Sequence, residues 1–404
     1  MLNLKSQIQI LQKPRETYPE RNDIITFDFV NNLEISSTWQ NLSDTGSIIF
    51  PKNVSFRNQY GAVSSWAKQN VVIETGKNPP LIMRGDKIII VLGYEYEVSA
   101  GNFQTITNKV FEGYITSINN RIPLELEFED NTWLLKQIQA PNKTFKSTDY
   151  TLERMMKELL IGTPFSFQDN INGNKLSTTF GDFTTQNESI AEVLARLQKD
   201  FRFESNFKGN VLRTGMFVYY PEGRNTHNFK FQHNIISDDL VYKRKDDVKV
   251  GVEVHTTQLE PYKDGAKRKD GITKFKTVKY DYFGYYYKNE LRIVQVDQKP
   301  KAFDGEIRTI NMMKLPIDKI RDYIKTQLNR LTYEGWRGSF TTFGLPMVQH
   351  GDIVNLIDNV LPERNGRYMV KSVDTSFGVN GFRQEIGLDI KVDDYTDAEL
   401  NAGL

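Results

Sequence analysis

The chain contains no cysteine in its 404 residues, which excludes both disulfides and thiolate metal sites. No apolar run is long enough for a membrane-spanning helix, and the opening MLNLKSQIQILQKPRETYPE has no signal-peptide core, so the expectation is a soluble protein made in a cytoplasm. Charge of one sign is also missing: 52 Lys and Arg against 51 Asp and Glu leave a net +1, too little for nucleic-acid binding by bulk electrostatics. The strong catalytic signatures are absent, with no Gly-x-Ser-x-Gly elbow, His-Glu-x-x-His helix or phosphate-binding Gly-x-x-x-x-Gly-Lys loop. Histidine is scarce. His227 and His233 share strand parity with Phe229 and Phe231 but have no fixed third ligand, and His255 and His350 stand alone, so packing is the better reading than metal binding. The segment DNINGN (169–174) has the composition of a calcium loop but places Ile171 where an oxygen ligand is required. Neither metal nor cofactor is expected.

What is present is length and β-text. The chain can form two to four domains, and 39% apolar and 12% aromatic residues describe an ordinary globular protein. Short β-branched and aromatic runs fill 23–145: ITFDFV, LEISSTW, SIIFP, KIIIVLGYEYEV, VFEGYITSI and PLELEFED, separated by Gly, Asn, Asp and Pro. The period then changes. Leu152, Met155, Met156 and Leu159 trace a helical stripe, and a second helix is expected from Thr185, with Glu188 completing a capping box and Ile190, Val193, Leu194 and Leu197 buried. From 241 the text is β again, with a charged hairpin tip at 263–271, a helix over 316–334, and an acidic tail at 393–404. The expected units are an arm (1–22), a first β-barrel (23–145), an α+β insertion (146–240), a second β-barrel (241–392) and the tail. The fold class is mainly β: two similar antiparallel β-barrels separated by a small α+β domain.

The similarity of the barrels rests on an internal echo. Arg84-Gly85-Asp86 precedes an apolar strand and then the Gly-initiated strand at Gly113, and His350-Gly351-Asp352 precedes the same order of signals ending at Gly366. Gly supplies positive φ and Asp satisfies a turn backbone, so Gly85, Asp86, Gly351 and Asp352 read as matching barrel turns. Two further groups call for a role. Glu125, Glu127 and Glu129 alternate with Leu124, Leu126 and Phe128, which gives one acidic strand face: solvated, channel-lining, or in principle a glycosidase carboxylate set. The run YDYFGYYY ends in Tyr285, Tyr286 and Tyr287, which suit an aromatic strand at an interface or, alternatively, a sugar-stacking platform.

The order of these parts resembles the baseplate hub proteins of phage tails, the late-control protein D family, and the hub half of type VI secretion spike proteins. GDKIIIVLG and FEGYITSI come first, then NESIAEVLARLQKDFRFE, then GLPMVQHGDIVNL, NGRYMVKSV and GFRQEIGLDI. The resemblance implies a non-enzymatic structural hub of a phage tail or contractile injection system. Such a hub is a homotrimer that adapts a hexameric tail tube to a separate central spike, among other baseplate proteins. It leaves a channel for DNA or tape-measure protein, and it sits in the virion tail after assembly in the host cytoplasm. A carbohydrate-binding adhesion protein is the alternative, and a tail-associated glycan hydrolase a weaker one.

Overall fold

The computed structural model describes residues 2–65, 80–119, 122–146, 149–168, 182–215, 225–262, 275–288, 290–300, 303–313 and 317–392. The DNINGN segment, the 263–271 tip and the 393–404 tail lie outside these residues.

The first barrel is built from β1 (Leu2–Leu11), β2 (Ile24–Phe27), β3 (Asn32–Thr38), β4 (Thr45–Ile49), β5 (Ser55–Arg57), β6 (Val63–Ser65), β7 (Lys87–Ser99), β8 (Asn102–Asn119) and β9 (Glu125–Glu129). Their spatial order is β6-β5-β2-β1-β7-β8-β9-β4-β3, antiparallel throughout. Segment 1–22 thus supplies a strand inside the sheet, with Ile8 and Ile10 fully buried beside Ile88, Ile90 and Leu92. The alternation of ITF, LEI and ELEF becomes burial of Ile25, Phe27, Leu33, Ile35, Leu126 and Phe128 on one face.

The insertion holds α1 (Thr132–Gln137), β10 (Lys143–Phe145), α2 (Leu152–Leu159), β11 (Ser166–Gln168), β12 (Phe183–Thr185), α3 (Ile190–Phe201), β13 (Glu204–Lys208) and β14 (Val211–Gly215). Its core joins the stripes of α2 and α3 and takes in Leu135, Ala140 and Phe145 from upstream of residue 146. The capping box expected at Thr185 sits four residues later, where Ser189 Oγ accepts from Glu192 N (3.2 Å) and Glu192 accepts from Ser189 N (2.6 Å). Thr-x-x-Glu and Ser-x-x-Glu both occur here. The first is spent on β12, where Thr185 pairs with Lys143, and Asn187 at φ 51° turns the chain before the helix begins.

The second barrel comprises β15 (Thr226–Lys230), β16 (Ile235–Asp238), β17 (Val241–Lys243), β22 (Gly335–Arg337), β23 (Ser339–Phe343), β24 (Ile353–Ile357), β25 (Gly366–Gly378) and β26 (Gly381–Lys391), around Phe229, Phe340, Val354, Leu356, Tyr368, Val370 and Ile386. It runs β15-β24-β25-β26-β23-β16, antiparallel except for the parallel β15–β24 pair, and the β15–β16 corner connects its two ends. Between β17 and β22 the chain makes an outer layer. Strands β18 (Val250–Pro261), β19 (Phe275–Tyr287), β20 (Glu290–Gln295) and β21 (Glu306–Met313) form a four-stranded sheet under α4 (Ile317–Thr332), with Val252, Val254, Ile320, Ile324 and Leu328 as its own core.

The two barrels are one continuous sheet. Strand β25 pairs with β26 on one side and, from Ser372 to Gly378, with β3 of the first barrel on the other. Phe377 and Phe382 reach from the second barrel into the first barrel's core. The Tyr94 hydroxyl, from β7, donates to the Phe382 carbonyl (3.0 Å) and accepts from Gly344 N (3.2 Å).

Candidate functional site

The echoed turns make the same set of backbone hydrogen bonds. In the first, Gly85 adopts φ +85°, Gly85 N donates to Ile115 O (2.7 Å), Ile115 N to Asp86 O (3.0 Å), and Asp86 N to Met83 O (3.0 Å). In the second, Gly351 adopts φ +84°, Gly351 N donates to Val370 O (2.8 Å), Val370 N to Asp352 O (2.9 Å), and Asp352 N to Gln349 O (3.1 Å). Each buried carboxylate also accepts from the backbone three residues before it, Met83 N at 2.8 Å and Gln349 N at 3.0 Å. Each accepts from one distant segment as well, Lys13 N and Asn225 N. A left-handed glycine followed by an acceptor is what such a turn requires, which explains the shared Gly-Asp.

The remaining partner differs. Asp86 takes both terminal nitrogens of Arg21 (3.1 and 2.5 Å), and the two side chains are entirely buried. Asp352 takes His227 Nε2 (3.1 Å). The return strands also differ from a simple Gly-on-Gly alignment: Ile88 faces Gly113, whereas Val354 faces Tyr368. Gly113 and Gly366 are therefore not equivalent. Gly113 is small because the β9 backbone crowds it, with Glu129 O only 2.1 Å from where a Cβ would stand. The matching Tyr368 points into the second core.

The three glutamates of β9 lie on one sheet face in different surroundings. Glu125 accepts from Asn119 Nδ2 (3.0 Å), Glu127 is exposed, and Glu129 is buried in an ion pair with Lys136 of α1. Sheet register carries this face across the seam between the barrels. One row reads Glu127, Ser47, Glu34, Ser376, Arg383, and the next reads Glu129, Thr45, Ser36, Asp374, Glu385. Together they line an open groove of about 750 Å³. Sequence reading located two of its acids, Glu127 and Glu129, while Glu125 lies outside the groove. Glu34, Asp374 and Glu385 were missed because only the β3–β25 pairing brings them alongside.

Of the tyrosines, Tyr285 packs on Phe283 (5.5 Å between centroids) and Phe303 (5.7 Å), and Tyr286 donates to Asn329 Oδ1 (2.6 Å). Tyr287 is 48% exposed but carries Arg292 over its ring at 4.7 Å, which counts against a sugar-stacking platform.

A further polar site was not legible in the sequence. Where both barrels and the insertion meet, a cavity of about 180 Å³ is lined by Ser37, Asp44, Lys208, Arg213, Gln349 and His350, among others. Asp44 accepts from Ser37 Oγ (2.7 Å) and Thr38 N (3.1 Å), and Asp130 accepts from Ser43 Oγ and Thr132 N (both 2.9 Å). Burial pushes the Asp44 carboxyl up to about 6, and burial with the Asp44 charge pushes Asp130 up to about 7. Burial holds the His350 imidazole down at about 4. Beyond this cavity, desolvation raises Glu204 to about 8 near the Arg330–Asp389 ion pair (3.0 Å). Among the described residues, no group of three His, Asp or Glu is placed to hold a metal ion.

No family model matches the sequence, and no curated protein matches it. Solved structures do match over nearly the whole chain. A tail protein from Neisseria meningitidis MC58 aligns at TM-score 0.55 and 12% identity, covering 96% of each chain. The chain has the fold of a phage tail protein. The 43 kDa tail protein of prophage MuSo2 from Shewanella oneidensis shares this tail-protein fold at TM-score 0.53 and 11% identity, over 96% of this chain and 99% of that one. A chain of the Francisella PdpA–VgrG complex shares it at TM-score 0.50 and 10% identity, over 96% of this chain and 58% of that one. At these identities the likeness establishes the fold, and the β-barrels with their α+β insertion are the substance of it.

Proposed function

We propose that this protein is a structural, non-enzymatic hub of a phage tail or related contractile injection device. Three copies form a closed ring, so that six barrels meet a hexameric tail tube on one face while three-fold symmetry meets a separate spike on the other. The observation that carries this reading is the pair of equivalent Gly-Asp turns in two barrels joined by an unbroken sheet. A quasi-six-fold ring needs two similar units at a fixed angle in each subunit, and the β3–β25 ladder fixes that angle. The tail-protein fold shared over 96% of the chain supports the setting.

In this reading the Glu34, Glu127, Asp374 and Glu385 face lines the central channel, where an acidic wall keeps passing DNA or tape-measure protein from adhering. The outer sheet bearing Tyr285, Tyr286 and Tyr287 faces neighbouring baseplate proteins. The protein belongs in the virion tail, assembled in the host cytoplasm. Light scattering of the purified protein, with negative-stain images of the particle, tests the proposal. The expected result is a trimeric ring that binds tube or spike protein. A strict monomer that binds neither refutes it.

A further inference from the structure

The four strands of the outer layer run β20-β19-β18-β21, so β20 is a terminal strand. It pairs with β19 from Tyr282↔Gln295 to Tyr287↔Glu290, and among the described residues its other edge makes no backbone hydrogen bond. Its two faces differ. Leu291 and Ile293 pack at the margin of the core under α4 and are only half-buried there. Arg292, opposite Tyr285, lies on the other face and lines a groove of about 630 Å³ with Lys245, Lys249, Lys288, Tyr287 and Phe303, among others. The cations of this groove are weakly engaged. Lys249 meets the exposed Asp304 at 3.1 Å and Arg292 lies 3.9 Å from the exposed Glu290, while Lys288 and Arg292 approach the Tyr287 ring at 5.6 and 4.7 Å. Surface pairs of this kind contribute little and exchange readily for another carboxylate. The rings are already taken, since Tyr285 packs on Phe283 and Phe303 and Arg292 covers Tyr287. Nucleic-acid bases therefore find no stacking platform, whereas an open strand edge is met by a polypeptide backbone.

We propose that β20 is a docking edge for an extended acidic segment of a partner protein, which adds to the sheet as a fifth strand. The edge dictates the alternation of that segment. Apolar side chains beside Leu291 and Ile293 complete the cover of the core under α4, and carboxylates on the opposite face meet Arg292, Lys288 and Lys249. Main-chain hydrogen bonds hold any strand at such an edge, and the cations select an acidic one over a basic one. This docking edge deepens the reading that the outer sheet faces neighbouring proteins, on which it rests for its setting. The two fail separately, because peptide binding can be absent from a chain that forms the ring and present in one that does not.

The test titrates the full-length protein into a fluorescein-labelled peptide of alternating Glu and Val, read by anisotropy, with deuterium exchange followed over Leu291–Gln295. The expected result is saturable binding with a Kd on the order of 10–100 μM, slower exchange in β20, and no binding of the matching Lys-Val peptide. Lys288→Glu with Arg292→Glu should weaken the Glu-Val peptide about tenfold or more and admit the Lys-Val peptide, which a merely misfolded protein would not do. N-methylation of either the Glu or the Val amides, whichever set faces β20, should abolish binding while keeping every charge. If both methylated peptides bind as tightly as the parent, the added strand is refuted. Equal affinity for the Glu-Val peptide in wild type and K288E/R292E refutes the role of the groove, and absence of binding at about 1 mM refutes the docking edge altogether. A labelled oligothymidylate that binds more tightly than the peptide and displaces it overturns the assignment to a protein partner.

Discussion

Replacing Asp86 by alanine should cost far more than the same change at Asp352, although the two turns share a backbone. Asp86→Ala removes the acceptor for Met83 N and Lys13 N and leaves the Arg21 guanidinium buried without its carboxylate. Stranding one member of a buried ion pair costs about 3–5 kcal/mol. Asp352→Ala deprives Gln349 N, Asn225 N and His227 of an acceptor without leaving a guanidinium behind, a loss on the order of 1–3 kcal/mol. Because a chain with several cores need not unfold in one step, the suitable assay is native-state hydrogen exchange read separately on Lys87–Leu92 and Ile353–Ile357. At roughly 1.4 kcal/mol per decade, Asp86→Ala should speed exchange in the first peptide by about 10²–10³-fold or more, and Asp352→Ala should speed it in the second by about 10–100-fold. Arg21→Met combined with Asp86→Ala should recover much of the loss, since an apolar replacement of both partners removes the uncompensated charge. An Asp86→Ala protein that loses less than about 1 kcal/mol, or a double variant no better than the single, refutes the claim that the ion pair anchors this turn.

The junction cavity predicts a pH response with opposing parts. Asp44 and Asp130 titrate higher in the folded state, so their contribution is full below about 4 and is lost as pH rises toward 6 and 7. His350, held down at about 4, contributes above its ordinary value of 6.5 and loses that contribution as pH falls toward 4. Melting curves from pH 4 to 8 should therefore flatten on the alkaline side in Asp130→Asn, and an unchanged profile would contradict the assignment. Gly113→Ala should destabilise by about 1–3 kcal/mol or more, because its Cβ meets the Glu129 carbonyl. Gly351→Ala faces open space and pays only for its positive φ, about 1 kcal/mol, so denaturant midpoints should rank the two in that order. Ser189→Ala should cost about 1 kcal/mol by opening the α3 capping box, visible as faster exchange in the first turn of α3.

The strands were legible where one face is buried, because alternation is a direct image of burial, and the turns were legible where Gly and Asp have no substitute. Long-range pairing left no such trace. Nothing in LEISST marks β3 as the partner of a strand that begins at Gly366, so neither the fused sheet nor the acids it aligns could be read. The capping box was misplaced because two consecutive patterns, 185–188 and 189–192, satisfied the same local rule, and only the β10–β12 ladder chose between them. The junction cavity draws Asp44, Arg213 and His350 from three segments, each unremarkable alone.

The fused sheet also sets a schedule for synthesis. Strand β3 (Asn32–Thr38) emerges long before its partner β25 (Gly366–Gly378), so the nascent first barrel carries an open edge until β25 has been made. An unpaired edge invites pairing with other chains, and pairing at such sequence separation is slow. Any chain released before Gly366 would keep that edge permanently. Premature termination should therefore yield aggregates rather than soluble half-proteins, because the β3 edge stays open until β25 covers it.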